Sequence, residues 1–521
     1  MLGAILTIAG GAVVLKVLGY ARDAGIAARF GLGAGLDAYM VAQNLTAVLV
    51  GLLVGEGGGR LAILFVPLYT EVRLREGREE AWRLTLTIFN ICLLILTAIA
   101  ALMIAFPHAT VLLSAPGFEP TRAAAASRMI VILAASTIGL GLTGFMRGYL
   151  IANGRYLAVT IAPALGGLVV VLYVLTVAPR FGMEGVAWCT LAASFLPVVI
   201  QFPFFLAGGG YRPHIHWSDP AVRRIGRLFV PVVFGMSVTQ LGAYVDQVMA
   251  SMLPAGHLSA LTYANRLRAV PFFLFVMSTE QAVFPRLCAE YTARGLAGLR
   301  EMGHFAMRIM IALSVPTVVA LVVLRQPVAR LAFGHGAVDA DGVRVIAGAL
   351  GFYMIGLLAT CIAPMPGNAF FALQDTRTPT ILAAIALGVN IIGNFILIRP
   401  MGANGLALAT SISGFAYLGL SAWALRRRVP GLLDRSVLGM YARAGSAALI
   451  MGAVCAALAH RVWGGGFAVS TREDALRLAL VAAVGFVVYA AAAVAFRVEG
   501  VVLAGRLAMA QLGRLRTPGG A

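Results

Sequence analysis

The chain has 521 residues, of which 60% are hydrophobic and only 12% are charged, whereas a soluble domain carries about 25% charged residues. Since a membrane-spanning helix needs about 20 residues, the apolar content suffices for roughly fifteen spans. This composition excludes a soluble enzyme and predicts an all-α polytopic membrane protein.

The net charge of +19 comes from 40 basic and 21 acidic residues, and every basic residue except Lys16 is an arginine. Basic chains often bind nucleic acid, but here the arginines are dispersed between apolar runs. That distribution is typical of membrane topology, so we expect no nucleic-acid partner. The five cysteines stand far apart without a CxxC pair, which predicts neither a disulfide framework nor a zinc site.

Apolar runs bounded by charged residues or by Gly and Pro predict fourteen spans in chain order. The first lacks a basic leader and a clear cleavage site, so we expect it to be retained. The predicted spans are 4–25, 37–58, 84–106, 127–150, 157–178, 185–207, 225–250, 260–285, 305–324, 343–372, 378–398, 403–425, 440–459 and 475–496.

The arginine distribution predicts the orientation of these spans. When each arginine is assigned to the nearest span end, 24 lie on the side of the N-terminus and 14 on the opposite side, with Lys16 and Arg60 set aside as candidate cavity residues. Cytoplasmic loops carry the excess of Lys and Arg. Both termini are therefore predicted to be cytoplasmic.

An internal repeat relates the first six spans to the next six. Leu18, Gly19 and Asp23 recur as Leu241, Gly242 and Asp246; Ala42 and Leu45 as Ala264 and Leu267; Arg155 and Gly166 as Arg377 and Gly388; and Gly182, Gly185, Ala187 and Thr190 as Gly402, Gly405, Ala407 and Thr410. An even number of spans per repeat gives both copies the same orientation. We predict an N-lobe (1–217), a parallel C-lobe (218–430), and a region with two further helices and a cytoplasmic tail (431–521), an arrangement typical of alternating-access transporters.

The sequence holds no catalytic signature. It contains no Walker A, HExxH or GxSxG motif, and its seven histidines are scattered. We therefore expect no enzyme activity, no cofactor and no metal site. A gradient, the membrane potential or consumption of the substrate would have to drive transport.

Charged residues within spans are the best candidates for function, because burial in lipid costs at least ~2.5–3.5 kcal/mol per group. Lys16 lies about 12 residues into the first span, or roughly 18 Å along the helix axis. Arg22 and Asp23 follow it. The second span begins at Asp37, and Glu56 precedes Arg60 by four residues, a spacing that permits an ion pair.

The equivalent spans of the second repeat carry Asp246, Arg266, Arg268 and Glu280. The acidic residues and Arg60 are as well explained by internal pairing that holds the bundle together. Lys16, Arg22 and Arg266 instead concentrate positive charge in the first two spans of each lobe, where a central cavity would lie. Arg268 is turned about 200° from Arg266 on a helix, so only one of the two should face that cavity. Arginine forks suit phosphate, so a lipid-linked diphosphate fits.

Several motifs in order along the chain carry a family resemblance. They are Val17-Leu18-Gly19-Tyr20-Ala21-Arg22-Asp23, Phe30-Gly31, Asp37-Ala38-Tyr39, Phe65-Val66-Pro67, Ala115-Pro116-Gly117-Phe118, Tyr263-Ala264-Asn265-Arg266-Leu267 and Gln374-Asp375-Thr376-Arg377-Thr378-Pro379. Across essentially its whole length the chain resembles the MurJ/MviN lipid II flippases of the multidrug/oligosaccharidyl-lipid/polysaccharide exporter superfamily.

The resemblance implies two six-helix lobes with two extra helices, in the inner membrane of a bacterium. It implies movement of lipid II, the undecaprenyl-diphosphate-linked peptidoglycan precursor, to the outer leaflet, and hence a role in cell-wall biogenesis and cell shape. The family's cavity cations carry over to Lys16, Arg22 and Arg266, and its helix-2 acids to Asp37 and Glu56. The family's last two helices border a hydrophobic groove that takes the lipid tail; here they could equally pad the bundle.

Two departures from the family pattern bear on the substrate. Lysine replaces the usual arginine at Lys16, and no basic residue lies between Asp37 and Glu56. A paralogue that exports another polyprenyl-linked saccharide, and a drug/cation antiporter of the same superfamily, therefore stay open as alternatives. The coupling ion or potential is also open.

Overall fold

The computed structural model describes residues 2–55, 59–213, 215–217, 219–464, 466–467 and 471–500. Within these ranges, the side chains of residues 2–9, 59–60, 179, 228, 230–239, 277–278 and 281–282 are not described. The described residues form nineteen α-helices and one π-helical segment, with no strand among them. The predicted all-α fold class is confirmed.

The first of two compact units comprises Met1–Ser259 together with His335–Asp339. Its helices are α1 (Leu2–Phe30), α2 (Ala34–Leu53), α3 (Gly59–Arg75), α4 (Arg78–Ala105), α5 (Pro107–Ser114), α6 (Pro120–Ala134), α7 (Ser136–Ala152), α8 (Tyr156–Thr176), α9 (Ala178–Leu206) and α10 (Pro220–Ala250). Within this unit, α2 packs on α6 and α10, α1 packs on α8, and α9 packs on both α7 and α8.

The second unit comprises Ala260–Gly334 and Ala340–Ala521. Its helices are α11 (His257–Pro271), whose first turn belongs to the first unit, the π-helical segment Phe272–Met277, α12 (Ser278–Val323), α13 (Arg325–Phe333), α14 (Ala340–Ile362), α15 (Pro364–Ala372), α16 (Arg377–Met401), α17 (Ala403–Leu425), α18 (Arg435–Trp463) and α19 (Thr471–Ala495). Within this unit, α17 packs on α14 and α16, while α18 packs on α12 and α19.

Eleven helical segments in the described part of the chain are long and apolar enough to cross a membrane, and two of them, Pro120–Ala152 and Ala340–Ala372, are interrupted. The count of fourteen spans stays a prediction. The predicted spans 127–150 and 343–372 are each two helices, broken at Ala135 and at Ala363. The predicted spans do not include α3, because its second half carries Glu71, Arg73 and Arg75 and the apolar run before them is too short to predict a span.

An aromatic cluster forms much of the core of the first unit. Phe65 of α3 lies with its ring centroid 5.1 Å from that of Phe145 of α7. Trp82 of α4 lies 5.0 Å from Phe205 of α9 and donates its indole N–H to the Gly210 carbonyl at 2.8 Å. Edge and tilted contacts between such rings add about 0.5–1.5 kcal/mol per pair beyond the buried area. The cluster joins four helices, and it explains why Phe65-Val66-Pro67 lies in α3 rather than in a loop.

The backbone supports the sequence repeat at the matched glycines. Gly182 has φ 63° inside α9, and its partner Gly402 has φ 56° at the start of α17. The helix pair α8–α9 of the first unit thus has a counterpart in α16–α17 of the second. The lobe boundaries 1–217, 218–430 and 431–521 stay predictions, since the compact units divide instead at 259/260.

We predict that Gly182→Ala lowers the thermal stability of the detergent-solubilised protein. A Cβ at Gly182 meets no atom within 4 Å, so the cost comes from its backbone conformation, with φ 63° and ψ −161°, which costs a residue other than glycine about 1–3 kcal/mol. Gly419, within α17, also has open space around a Cβ but no positive φ. Gly419→Ala should therefore leave the Tm unchanged or raise it; equal losses in both variants would contradict the backbone explanation.

Candidate substrate-binding site

The α1 charges form a local ion pair. Arg22 Nη2 lies 3.0 Å from Asp23 Oδ1, and the Nε of the same side chain donates to that oxygen at 3.1 Å. The Asp23 side chain is buried, whereas the Arg22 side chain is 24% exposed. Lys16 lies exposed on the same helix. Asp23 therefore balances part of the positive charge, and the guanidinium of Arg22 keeps one side accessible.

Asp37 is completely buried, and its carboxylate accepts three hydrogen bonds. Arg122 Nη2 donates to Oδ2 at 2.9 Å, the backbone N–H of Gly256 donates to the same oxygen at 2.7 Å, and the N–H of Ser259 donates to Oδ1 at 2.9 Å. A buried carboxylate is stable only with such partners. Asp37, predicted as a supporting charge of the cavity, is enclosed by protein groups within the first unit.

Arg122, the buried ion-pair partner of Asp37, is not among the site residues predicted from the sequence. Its Nη1 donates to the Leu253 carbonyl at 3.1 Å, and its guanidinium carbon lies 4.2 Å from the centre of the Phe118 ring. The predicted span began at residue 127, so Arg122 was placed in a loop; the helix begins at Pro120. The one available signal was its position four residues after Phe118 of the family motif.

Close backbone contacts hold the 251–259 segment against the start of α6. The N–H of Gly117 donates to Ser251 Oγ at 3.1 Å, and a Cβ at Gly117 would lie 2.5 Å from the Cα of Met252. Only glycine permits this approach, which accounts for the glycine in Ala115-Pro116-Gly117-Phe118.

The 335–339 segment, which also belongs to the first unit, contacts the end of α1. The N–H of Ala337 donates to the Ala28 carbonyl at 2.8 Å. Gly31, with φ 67°, leaves no room for a Cβ, since that atom would lie 2.7 Å from the Ala337 carbonyl oxygen. The turn between α1 and α2 is thus contacted both here and at Leu32, whose carbonyl oxygen a Cβ at Gly256 would approach to 2.9 Å.

Two arginines of α11, in the second unit, lie against different aromatic rings. The guanidinium carbon of Arg266 is 5.7 Å from the centre of the Tyr263 ring, and that tyrosine stacks on Phe333 at 4.4 Å. Arg268 lies 5.2 Å from the Tyr353 ring and donates its Nε to Asn265 Oδ1 at 2.9 Å. The two side chains therefore point to different neighbours, as the helical spacing predicts.

The remaining predicted site residues differ in how far the structure describes them and in the unit to which they belong. Asp246 is half-buried on α10 of the first unit. Glu56 lies outside the described residues, and Arg60 is described only through its backbone in α3. Lys16 and Arg22 belong to one compact unit and Arg266 to the other, so their convergence on one cavity stays a prediction. In the described part of the chain, no group of three or more His, Cys, Asp or Glu residues is placed to hold a metal ion.

An apolar cavity of about 480 Å³ lies between α12, α18 and α19 in the second unit. Its walls are apolar side chains such as Leu313, Met451 and Phe486. The hydroxyl of Tyr489, which also lines it, donates to the Ala312 carbonyl at 2.9 Å and so presents only its ring to the cavity. The two helices beyond the repeat thus form two of its walls. The volume falls within the range of about 300–1,000 Å³ typical of ligand sites.

Comparison with known families decides the assignment. The family described as "Lipid II flippase MurJ" matches residues 26–472. The chain belongs to this family. The resemblance carried by the sequence motifs is confirmed.

Individual members of the lipid II flippase MurJ family match over most of their length. A probable lipid II flippase MurJ of Haemophilus influenzae is 26% identical over 419 residues, which cover 76% of this chain and 81% of the relative. The lipid II flippase MurJ of Burkholderia cenocepacia is 26% identical over 444 residues, which cover 82% and 86%.

Solved structures show the same fold. A lipid II flippase MurJ in an inward closed conformation matches with a TM-score of 0.78 and 22% identity, covering 95% of this chain and 99% of that one. An inward-facing multidrug resistance MATE transporter of the MOP superfamily matches with a TM-score of 0.68 and 16% identity, covering 80% and 95%.

We predict that Asp37→Ala and Arg122→Ala each lower the free energy of unfolding by about 3–5 kcal/mol, because each leaves the other charge buried without its ion-pair partner. The double variant should lose less free energy of unfolding than the sum of the losses in the two single variants. Unfolding of the purified protein in detergent measures all three.

The ion pair of Arg128 and Glu184 is a matched control, with side chains 63% and 51% exposed. Glu184→Ala should cost less than about 1 kcal/mol. If Asp37→Ala were no more harmful than Glu184→Ala, the buried network would not hold this part of the first unit together.

Proposed function

We propose that this chain moves lipid II from the cytoplasmic to the outer leaflet of a bacterial inner membrane, by alternating access and without chemistry. The observation that carries the proposal is the family match over residues 26–472. The family is one of flippases, and the described fold is polytopic and all-helical. Both termini are proposed to be cytoplasmic, as the arginine distribution predicts.

We further propose that Arg22, Arg266 and Lys16 bind the diphosphate of the substrate. The Arg22 fork is partly accessible beside Asp23. The guanidinium of Arg266 lies against a buried tyrosine, which restricts its rotamers and reduces the entropy lost when an anion binds. Asp23 and Asp246 would balance the excess charge, whereas Asp37 acts through the buried network with Arg122. Glu56 and Arg60 keep the proposed supporting role.

The apolar cavity between α12, α18 and α19 supports a place for the lipid tail. The repeat does not require α18 and α19, yet their side chains form two walls of the cavity. A polyprenyl chain has the apolar character of those walls. Transport of such a lipid would be driven by a coupling ion or the membrane potential.

The second candidate is a drug/cation antiporter, favoured by the likeness to a MATE transporter. Such a protein needs buried acids that exchange protons or cations. The carboxylate of Asp37 is instead occupied by Arg122 and two backbone N–H groups. Glu56→Gln then separates the two functions better than a change at Asp37: an antiporter should lose transport, and a flippase should depend more on Arg22 and Arg266.

We predict that Arg22→Ala and Arg266→Ala each abolish flipping while the protein reaches the membrane in normal amount. Losing a hydrogen-bonded charge partner in a desolvated site costs roughly 2–5 kcal/mol, or about 30-fold or more in affinity. The measurement is rescue of a host depleted of its own flippase, scored by lipid II that reaches the outer leaflet.

Two further variants test the proposed geometry at this site. Arg266→Lys should be impaired, because a point charge cannot replace the fork. Arg268→Ala should be nearly silent, because Arg268 contacts Asn265 and Tyr353. If the Arg266→Ala variant flipped lipid II and the separate Arg268→Ala variant did not, Arg268 rather than Arg266 would face the cavity. Failure of the wild-type chain to rescue would favour another polyprenyl-linked saccharide.

Truncation after Val429 tests the role of the two C-terminal helices. We predict that the shortened chain loses flipping, because the cavity loses the walls formed by α18 and α19. Transport assays on folded, membrane-inserted protein provide the measurement. Intact flipping after truncation would show that these helices only pad the bundle.

A further inference from the structure

Three charged side chains meet beside the apolar cavity of the second unit. Arg308 Nε of α12 lies 2.9 Å from Glu499 Oε2, and Arg443 Nη1 of α18 lies 3.5 Å from Glu499 Oε1. Glu499 follows α19, so one carboxylate joins three helices. We name Arg308, Glu499 and Arg443 the arginine clasp.

The arginine clasp and the apolar cavity are adjacent. Gly500, the residue after Glu499, lines the cavity. A Cβ at Gly500 would lie 2.4 Å from the Arg308 carbonyl oxygen and 2.6 Å from the Cβ of Ala312, another cavity residue. The backbone at this point therefore lies directly on α12, between the charges on one side and the cavity on the other.

The sequence places the clasp at a polar–apolar boundary on all three helices. An uncharged run begins immediately after Arg308 (309–323) and immediately after Arg443 (444–459), and another ends shortly before Glu499 (478–496). Fifteen helical residues extend about 22 Å, most of the roughly 30 Å hydrocarbon core. The clasp thus lies where the headgroup of a lipid lies, and the cavity extends along the part where its chains lie.

The clasp carries two positive charges and one negative charge, and each of its side chains is partly exposed, although the Nε atom of Arg308 is itself buried. These side chains are 40%, 46% and 54% exposed for Arg308, Glu499 and Arg443. Both arginines can therefore exchange the carboxylate for another anion. A phosphate offers more acceptor oxygens than a carboxylate and suits the guanidinium fork.

We propose that the arginine clasp and the adjacent cavity form a binding site for a membrane lipid with a phosphate headgroup. The phosphate takes the place of the Glu499 carboxylate between Arg308 and Arg443, and the hydrocarbon chain enters the cavity. Glu499 is then a competitor that keeps the site closed without lipid. If the lipid is the flipped diphosphate lipid itself, the inference rests on the function proposed above. The clasp is then a second phosphate-binding site, distinct from the one proposed at Lys16, Arg22 and Arg266.

The test is binding of farnesyl phosphate to the delipidated full-length protein in neutral detergent, measured by native mass spectrometry or calorimetry. Arg308→Gln with Arg443→Gln should weaken binding about tenfold or more, since each lost hydrogen bond involves charged groups. Glu499→Gln should strengthen binding about two- to fivefold, because it removes an exposed competing ion pair. Arg461→Gln, at the other end of α18, is the matched control and should change nothing.

Three controls separate the contributions of headgroup and chain: farnesol, which lacks the phosphate; inorganic phosphate, which lacks the chain; and one variant of the cavity wall. Farnesol should bind more weakly than farnesyl phosphate, and inorganic phosphate alone should not displace the probe. Ala482→Phe, which narrows the cavity, should weaken binding with the clasp intact. Farnesol binding as tightly, or inorganic phosphate displacing the probe, would overturn the proposal.

The sign of the Glu499→Gln effect separates a binding site from a structural clasp. If it weakens binding as the arginine variants do, the clasp only holds the helices together and the proposal fails. Binding should persist in Arg22→Ala combined with Arg266→Ala, whether or not that variant flips lipid. Loss of binding there would assign the probe to the other predicted site, whereas failed flipping with retained binding would leave the clasp proposal intact.

Discussion

One buried carboxylate organises an end of the first unit. Asp37, on the first turn of α2, receives the guanidinium of Arg122 and the N–H groups of Gly256 and Ser259. A charge without such partners would be very costly to bury. The start of α6, the turn before α2 and the 251–259 segment must therefore all be in place together, which makes this part of the fold cooperative. The segment leads directly into α11, the helix that carries Arg266.

A second constraint acts on every interrupted helix. In hydrocarbon, a break is tolerated only where the released backbone groups find partners. After the break at Ala135, the hydroxyls of Ser136 and Thr137 donate to the carbonyls of Leu133 and Ala134. At the corresponding break in the second unit, Pro364 opens α15 and has no N–H to leave unpaired. The two units thus meet the same requirement with different residues, which explains why the sequence repeat is faint at these positions.

The sequence predicted what depends on composition and local pattern. Apolar runs gave most helices, and the family motifs contained glycines whose backbone conformation or close packing the structure explains, such as Gly31 and Gly117. Helix breaks within apolar runs were not predicted, because hydropathy does not change at Ala135 or Ala363. Arg122 was missed because its partner Asp37 lies 85 positions away, and a pair at that separation leaves no periodic signal. The ion pair between Glu499 and Arg308 was not predicted for the same reason, because the two residues are far apart in the sequence.

The bonds from Gly256 and Ser259 to Asp37 come from the main chain, and that origin affects how the region can diverge. Any residue except proline supplies an N–H, so the 251–259 segment can exchange its side chains without losing these two donors. Gly256 is the exception, since its φ of +88° and the nearby Leu32 carbonyl oppose a side chain. Related sequences should therefore look variable here while the backbone path stays fixed. A search for this contact by residue identity would find one glycine and overlook the rest of the segment.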